Sequence, residues 1–235
     1  MDINHNSHYM MNTTVEKIYH SREDLSEYVF HFTRGAHGRD TLEKILSEGV
    51  IKDISSKGYI CFTEAPILLL PDMFDIFNRY PEPMYSPYGI GIKRDTLYRI
   101  GGRPVIYGTE TDKAQIQDSL HWRFVMMKPD EYDFSWLREW RLPEKEYSIT
   151  GDDIVIVKTI GEEQEILLDF DDVDVEGEPA DGGFQIFYTG IFIRKHKGVS
   201  IERIRNTEID KKEKLKKDFS EQGAIERIHL GFHWE

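Results

Sequence analysis

The sequence contains one cysteine, Cys61, among its 235 residues. A single cysteine excludes a disulfide within the chain, and it excludes the zinc and iron–sulfur sites that several cysteines hold together. Because Cys61 lies in an apolar run that is typical of a strand, a buried structural thiol is favoured over a nucleophile. This scarcity of cysteine indicates a reducing compartment, and we expect a cytoplasmic protein.

Long hydrophobic runs are also missing. The longest apolar patch, Pro66 to Leu70, falls far short of the roughly 20 residues that a membrane helix needs. The first residues, Met1 to Ser7, are polar and lack the basic and then apolar pattern of a signal peptide. We therefore expect no membrane partner.

Three common motifs of nucleotide-binding proteins and hydrolases are absent. The sequence has no Walker A loop, no Gly-x-Gly-x-x-Gly fingerprint and no Gly-x-Ser-x-Gly elbow. Among nine histidines, only His229 and His233 are four residues apart, and no glutamate completes a metalloprotease arrangement with them. We therefore predict no metal site.

Charge, in contrast, is abundant and unevenly distributed. The formal net charge of −13 arises from 43 acidic and 30 basic residues, and the segment Gly161 to Gly182 holds ten acids with no lysine or arginine. Without that segment the chain is nearly neutral, so its net charge does not exclude a nucleic-acid partner. We expect this acidic segment to be a mobile or partner-bound surface that adds little to core stability. A basic cluster at helical spacing is expected to be a solvated face or a weak nucleic-acid contact: Lys211, Lys212, Lys214, Lys216 and Lys217.

The order of predicted elements indicates an α+β fold, with short helices between the strands of a mixed β core. Asp40 and Glu43 have the spacing of a helix start, and Gly49 is placed to end that helix. Longer helical patterns are predicted for 113–127 and for much of 199–235. The predicted strands are 28–33, 58–63, 88–93, 103–107, 153–159, a segment leading to residue 142, and a β-like segment at 183–194.

A series of short motifs follows this order of elements. The first strand carries His31-Phe32-Thr33 and runs into the predicted helix, and a later strand carries Phe62-Thr63. A Tyr85-Ser86-Pro87-Tyr88 loop and a Gly102-Arg103-Pro104 turn come next. Trp136-Leu137-Arg138-Glu139-Trp140-Arg141 then places one carboxylate, Glu139, among aromatic residues.

With these motifs, the chain resembles the ADP-ribosyltransferase fold over roughly residues 29–158. Within that fold it looks closest to toxins of the DarT kind and to AbiGi-like proteins of phage-defence systems. The resemblance implies an ADP-ribosyltransferase-like core at 15–160, followed by an acidic segment and a C-terminal β/α extension at 161–235. It also implies NAD as the substrate that supplies ADP-ribose, with no metal ion.

Breaking the nicotinamide–ribose bond of NAD builds positive charge on the ribose, which a carboxylate in a dry site stabilises. The resemblance implies that Glu139 is this catalytic carboxylate and that Arg103 lies near the pyrophosphate or the acceptor. It further implies that five residues bind the cofactor: His31, Phe32, Thr33, Phe62 and Tyr88. Of these, Tyr88 or Phe62 would supply the aromatic ring that stacks on nicotinamide.

Each of these residues also has a purely structural interpretation. His31 can be a core histidine, and Glu139 can form a salt bridge with Arg138 or Arg141. Arg103 can serve its turn alone, and Tyr88 can simply pack in the sheet. Glu64, directly after Phe62-Thr63, is a rival for the role of catalytic carboxylate.

The resembled family also bears on the acceptor. Members that modify proteins often carry Gln or Glu two residues before the catalytic glutamate, where this chain has Leu137, so an RNA or DNA base is expected rather than a protein. The function expected is that of an NAD-dependent ADP-ribosyltransferase toxin, which acts either in phage defence or in a toxin–antitoxin module with a cognate antitoxin as partner. The alternatives are a catalytically silent AbiGi-like binding or antitoxin module and an NAD glycohydrolase. Convergence of His31 and Glu139 on one cleft is the feature that would favour the enzyme.

Overall fold

The computed structural model describes residues 26–128, 130–131, 133–180, 183–207 and 225–230, with 170–192 and 225–230 described by their backbone alone. The strands are β1 Tyr28–Phe32, β2 Val50–Lys52, β3 Ile60–Thr63, β4 Gly89–Lys93, β5 Arg103–Pro104, β6 Ile106–Gly108, β7 Phe124–Met126, β8 Glu139–Leu142, β9 Glu146–Ser148, β10 Ile154–Val157, β11 Leu168–Ala180, β12 Gly183–Arg194, β13 Lys197–Ser200 and β14 Ile225–Leu230. The helices are α1 Gly38–Glu48, α2 Leu70–Phe77, α3 Arg94–Arg99, α4 Glu110–Lys113, α5 Ile160–Leu167 and α6 Ile201–Asn206, with 3-10 turns at Ile67–Leu69, Asp118–Arg123 and Ser135–Leu137.

A seven-stranded mixed sheet organises the fold, in the order β13-β10-β4-β1-β3-β8-β5. Only β10 and β13 run parallel in this sheet, and its other neighbours are antiparallel. The strands β11, β12 and β14 form a second, three-stranded sheet, and two pairs stand apart, β2 with β9 and β6 with β7. The predicted α+β class, a mixed sheet with short helices, is confirmed.

The register of the central strands defines two faces of the large sheet. Phe30 pairs with Thr63, and Thr63 pairs with Glu139, so these three residues lie on one face, which we call the Glu139 face. Side chains alternate along a strand, so His31 and Trp140 lie on the opposite face, which we call the His31 face.

Each face carries its own apolar core. The His31 face is covered by residues such as Leu42 of α1 and Leu167 of α5, both fully buried. The Glu139 face packs against Leu70 and Phe74 of α2 and against Ile204 of α6. The sheet is therefore a middle layer between two sets of helices.

Two glycines fix the position of α1. Gly49 ends the helix in a left-handed conformation with φ of 67°, as predicted, and its N–H bonds back to the last turn. Gly38 is the first residue of the helix, and it packs so closely on the loop before β4 that a Cβ there would lie 2.4 Å from the Cβ of Ser86. The predicted start at Asp40 was therefore two residues late, and the predicted capping box is not formed, because His37 precedes the helix without a side-chain cap.

The long helix predicted at 113–127 was wrong. The structure has the short helix α4, a 3-10 turn and then β7, which pairs in parallel with β6. The guanidinium of Arg141 donates to the carbonyls of Trp122 and Phe124. In a continuous helix these two carbonyls would point along the helix axis and could not both accept from Arg141. The contact with Arg141 therefore outweighs the local preference for helix.

The segment that begins at residue 160 also departs from expectation. Leu167 is fully buried, and the carboxylate of Glu163 accepts hydrogen bonds from Ser200 and Arg203. Strand β13 joins the large sheet beside β10, so the sheet spans the predicted boundary at residue 160. The expectation of a mobile surface with no compensating base was therefore wrong for residues 161–167.

The rest of the C-terminal prediction was partly wrong. Strand β12 agrees with the β-like segment predicted at 183–194. The helix-rich region predicted from residue 199 contains the six-residue helix α6, but residues 225–230 form strand β14. The side chains of the lysine cluster at 211–217 and of the histidine pair His229 and His233 lie outside the described part of the structure.

Candidate functional site

A tight turn brings Glu139 to the start of β8. The residue before it, Arg138, adopts a left-handed conformation with φ of 45°, which is uncommon for any residue but glycine. The carbonyl of Arg138 accepts from the backbone N–H of Glu64 at 3.2 Å, and the Thr63 hydroxyl donates to the carbonyl of Leu137. Because β3 anchors this turn at two points, the backbone of Glu139 has a fixed position.

The carboxylate of Glu139 is sheltered and paired. Its side chain is 12% exposed, and its Oε1 accepts from Nε of Arg141 at 2.7 Å. The backbone N–H of Glu139 donates to the hydroxyl of Tyr107 at 2.8 Å. The sequence-based alternative of a salt bridge with Arg141 is therefore confirmed, and the question becomes what else faces this pair.

Cys61 lies beside Glu139 on the same face of the sheet. Burial raises the pKa of the Cys61 thiol to about 12, and the nearby Glu139 carboxylate adds to this effect by charge and by a hydrogen bond. The thiol is therefore protonated at neutral pH, and this cysteine is not an activated nucleophile.

Tyr85 and Arg34 complete this end of the Glu139 face. The Tyr85 ring meets Phe32 and Phe77 edge-on, with centroids 6.4 and 5.7 Å apart, and the Arg34 guanidinium lies 5.8 Å from the Tyr85 centroid. Burial raises the pKa of Tyr85 to about 12, with a smaller contribution from the charge of Glu139. A carboxylate, an aromatic ring and an exposed arginine thus lie on one face. The ring and the arginine expected from the sequence were different ones, Tyr88 or Phe62 and Arg103.

His31 does not join them. Its Nδ1 lies 2.9 Å from the carbonyl of Cys61, which can only accept, so Nδ1 carries the proton. Burial lowers the pKa of His31, and the charge of Arg34 lowers it further, so the ring is neutral at pH 7. Its ring meets Phe62 at 5.8 Å, on the face opposite Glu139. The predicted convergence of His31 and Glu139 on one cleft is therefore not formed. Phe30 is in register with Glu139 through Thr63, and His31, the next residue along β1, points to the opposite face.

Thr33 and Tyr88 are engaged in structural contacts. The Thr33 hydroxyl donates to the carbonyl of Tyr88 at 3.0 Å, and the Tyr88 hydroxyl donates to Glu162 at 2.8 Å. Burial and then the Glu162 contact raise the pKa of Tyr88 well above its usual range. Both residues hold β1, β4 and α5 together, and Tyr88 packs with the core of the His31 face.

The remaining predicted residues are divided between the two faces. Phe32 is buried on the Glu139 face, where its ring meets Phe74 at 5.0 Å, whereas Phe62 is buried on the His31 face. Arg103 donates to the carbonyls of Tyr98 and Gly102, both at 2.7 Å, and its guanidinium lies 4.0 Å from the Tyr98 ring. Arg103 therefore holds its own turn, as the structural alternative had it.

Glu64, the rival carboxylate, is 7% exposed on the His31 face. It accepts from the indole N–H of Trp140 at 2.8 Å and from Arg94 at 3.3 Å, and Arg138 lies 3.7 Å away. With this many partners in the core, Glu64 links β3, β8 and α3 and has the environment of a structural ion pair.

Three residues of this site were missed or misjudged from sequence. Arg34 directly follows the His31-Phe32-Thr33 motif, and Tyr85 begins the loop that ends in Tyr88. Arg141 was considered only as a surface partner of Glu139, yet it is 9% exposed. Their nearness in sequence to the quoted motifs was the one signal that could have identified these residues. Which of them share a face with Glu139 depends on the register of β1, β3 and β8.

Comparison with known proteins does not assign the site. The chain matches no protein-family model, no curated protein and no solved structure. Within the described ranges, there is no group of three or more histidine, cysteine, aspartate or glutamate residues that could hold a metal ion. The same residues include no helix that is long and apolar enough to cross a membrane.

Proposed function

We propose that this chain is an NAD-dependent ADP-ribosyltransferase that acts on a nucleic-acid base and serves as a toxin in phage defence or beside an antitoxin. One observation carries the proposal: the sheltered carboxylate of Glu139 lies on the same sheet face as the Tyr85 ring and the exposed guanidinium of Arg34. Transfer of ADP-ribose needs these three kinds of group near one another.

The reaction assigns a role to each group. The bond between C1′ of the ribose and the nicotinamide nitrogen breaks, and its electron pair neutralises the pyridinium, so neutral nicotinamide leaves. Glu139 stabilises the positive charge that develops on the ribose. A lone pair of the acceptor then forms the new bond to C1′, and the proton that the acceptor carried passes to solvent.

Binding of NAD follows from the neighbours of Glu139. Tyr85 offers a ring face on which the cationic nicotinamide stacks. The exposed Arg34 offers a planar set of N–H donors that matches the pyrophosphate. These two residues take the roles that the resemblance gave to Tyr88 or Phe62 and to Arg103, and no metal ion is required.

A second candidate, a non-catalytic binding or antitoxin module, is favoured by a different observation. His31 and Glu139 lie on opposite faces of the sheet, and Glu139 is already paired with Arg141. A protein that keeps this fold without turnover needs no converging histidine and carboxylate.

The test uses NAD labelled in its adenylate, so the label moves only with ADP-ribose. The purified chain is incubated with separate DNA, RNA and protein fractions, with and without a chelator. We expect label on a nucleic-acid fraction, and we expect it to persist with the chelator. Release of nicotinamide without label transfer would indicate an NAD glycohydrolase. If every fraction fails to gain label and no nicotinamide is released, the result would contradict the enzyme and support the binding module.

A further inference from the structure

Arg141 is the most completely engaged cation near the proposed site. It is 9% exposed, and its Nη1 donates to the carbonyls of Trp122 at 2.7 Å and Phe124 at 3.1 Å. Its guanidinium also lies 4.4 Å from the centroid of the Tyr59 ring. Two backbone carbonyls and an aromatic ring therefore fix the plane of this guanidinium before any contact with Glu139 is counted.

The remaining edge of that guanidinium meets the carboxylate. Nε of Arg141 lies 2.7 Å from Oε1 of Glu139, and both side chains are about one-tenth exposed, at 10% and 12%. A charge-assisted hydrogen bond of this length from a fixed donor restricts the rotamers of the acceptor. A carboxylate accepts about four hydrogen bonds in all, so this bond leaves acceptor capacity for a ligand.

We propose that Arg141 is the positioning residue of the site, fixing the Glu139 carboxylate for its contact with the ribose of NAD. This inference rests on the proposed function. It differs from a purely structural ion pair because the fixed partner is the arginine, and the oriented partner is the group that meets the substrate. Misplacing a reacting group by about 1 Å can cost roughly 100-fold in rate, so the orientation matters to turnover more than to substrate binding.

Arg141→Lys keeps the charge but removes the planar donor set. We expect kcat for transfer to fall roughly 100-fold, while KM for NAD stays within about twofold. Arg94→Lys is the matched control, since it makes the same change in a partly buried arginine that pairs with Glu64 on the other face at 3.3 Å. This control should keep the wild-type kcat. Equal losses in the two variants, or a wild-type kcat for Arg141→Lys, would overturn the proposal.

A second variant covers the case in which Arg141→Lys does not fold. Tyr59→Leu removes the ring beneath the guanidinium while leaving all the hydrogen bonds of Arg141 in place. We expect kcat to fall about 2- to 5-fold with KM unchanged, because cation–π contacts contribute modestly. A rise in KM with unchanged kcat would contradict a positioning role.

Glu139→Gln separates failure of this inference from failure of the proposed function. If Glu139→Gln is inactive and Arg141→Lys is fully active, only the positioning role is wrong. If Glu139→Gln is fully active, the proposed function of Glu139 is wrong, and the positioning role is overturned with it.

Discussion

The two faces of the large sheet each carry a sheltered carboxylate that is paired with arginine, but in different surroundings. Glu64, on the His31 face, accepts from the Trp140 indole and from Arg94. Glu139, on the opposite face, is paired with Arg141 and lies near Tyr85 and the exposed Arg34. Burial and an ion pair therefore do not distinguish the two carboxylates. Their neighbours do, because Glu64 accepts from a core indole, whereas Glu139 lies near an aromatic ring and an exposed arginine.

Neutralising each carboxylate in turn should have the largest effect, and only at Glu139. Glu139→Gln keeps the shape and removes the charge, so we expect transfer to fall about 100- to 1000-fold, the usual loss for one preorganised electrostatic contact. Glu64→Gln should keep most of the activity. Initial rates of label transfer from NAD measure both. A dead Glu64→Gln with an active Glu139→Gln would move the site to the His31 face.

Stability should rank the same two variants in the opposite order. Glu64→Gln leaves Arg94 and Arg138 beside a neutral amide in the core, and we expect it to lower the free energy of unfolding by about 2 kcal/mol. Glu139→Gln should lower it by less, about 1 kcal/mol, because Arg141 keeps its two backbone carbonyl acceptors and the amide oxygen of glutamine can still accept from its Nε, whereas Glu64 uses both of its oxygens. Urea unfolding at pH 7.5 measures both values. Equal losses would mean that the two pairs have the same structural role.

His31 should also make the stability of the fold respond to mild acid. Burial lowers the pKa of His31 in the folded state, so the unfolded chain binds the proton more readily. Stability from this group is therefore complete above the unfolded pKa of about 6.5 and is lost as pH falls below it, by at most about 1.4 kcal/mol per pH unit. His31→Asn should flatten this loss between pH 6.5 and 5, measured by urea midpoints. An unchanged slope would contradict a lowered pKa, because it would show that His31 takes up its proton over the same pH range in the folded and the unfolded chain.

Much of the fold was predictable because it follows from local pattern. The runs of β-branched and aromatic residues predicted β1 and β4, and Gly49 ends α1 as expected. The helix predicted at 113–127 was wrong because the contacts of Arg141 with two backbone carbonyls come from a distant strand. The role of α5 was missed for a related reason: an acidic segment looks solvated until Arg39 and Arg203 are placed beside it.

The site was only half predictable. The sequence predicted a carboxylate among aromatic residues, and the structure shelters that carboxylate, Glu139. Which side chains share a face, however, depends on how β3 pairs with β1 and β8, and a shift of one residue reverses every assignment. That register is set by contacts between residues about 30 and 75 positions apart, such as His31 with Cys61 and Thr63 with Leu137, which no local pattern encodes.

Cys61 permits the most direct test of the claim that NAD binds on the Glu139 face. It is the one cysteine of the chain, it is partly exposed and it lies beside Glu139, so the rate of its alkylation by iodoacetamide reports on that face alone. The rate is followed by intact mass at pH 9, because burial raises the thiol pKa to about 12 and makes the reaction slow near neutrality. We predict that saturating NAD slows alkylation several-fold, whereas AMP, which lacks the nicotinamide riboside, does not. An unchanged rate at NAD concentrations where calorimetry shows binding, or no binding at all, would contradict the account.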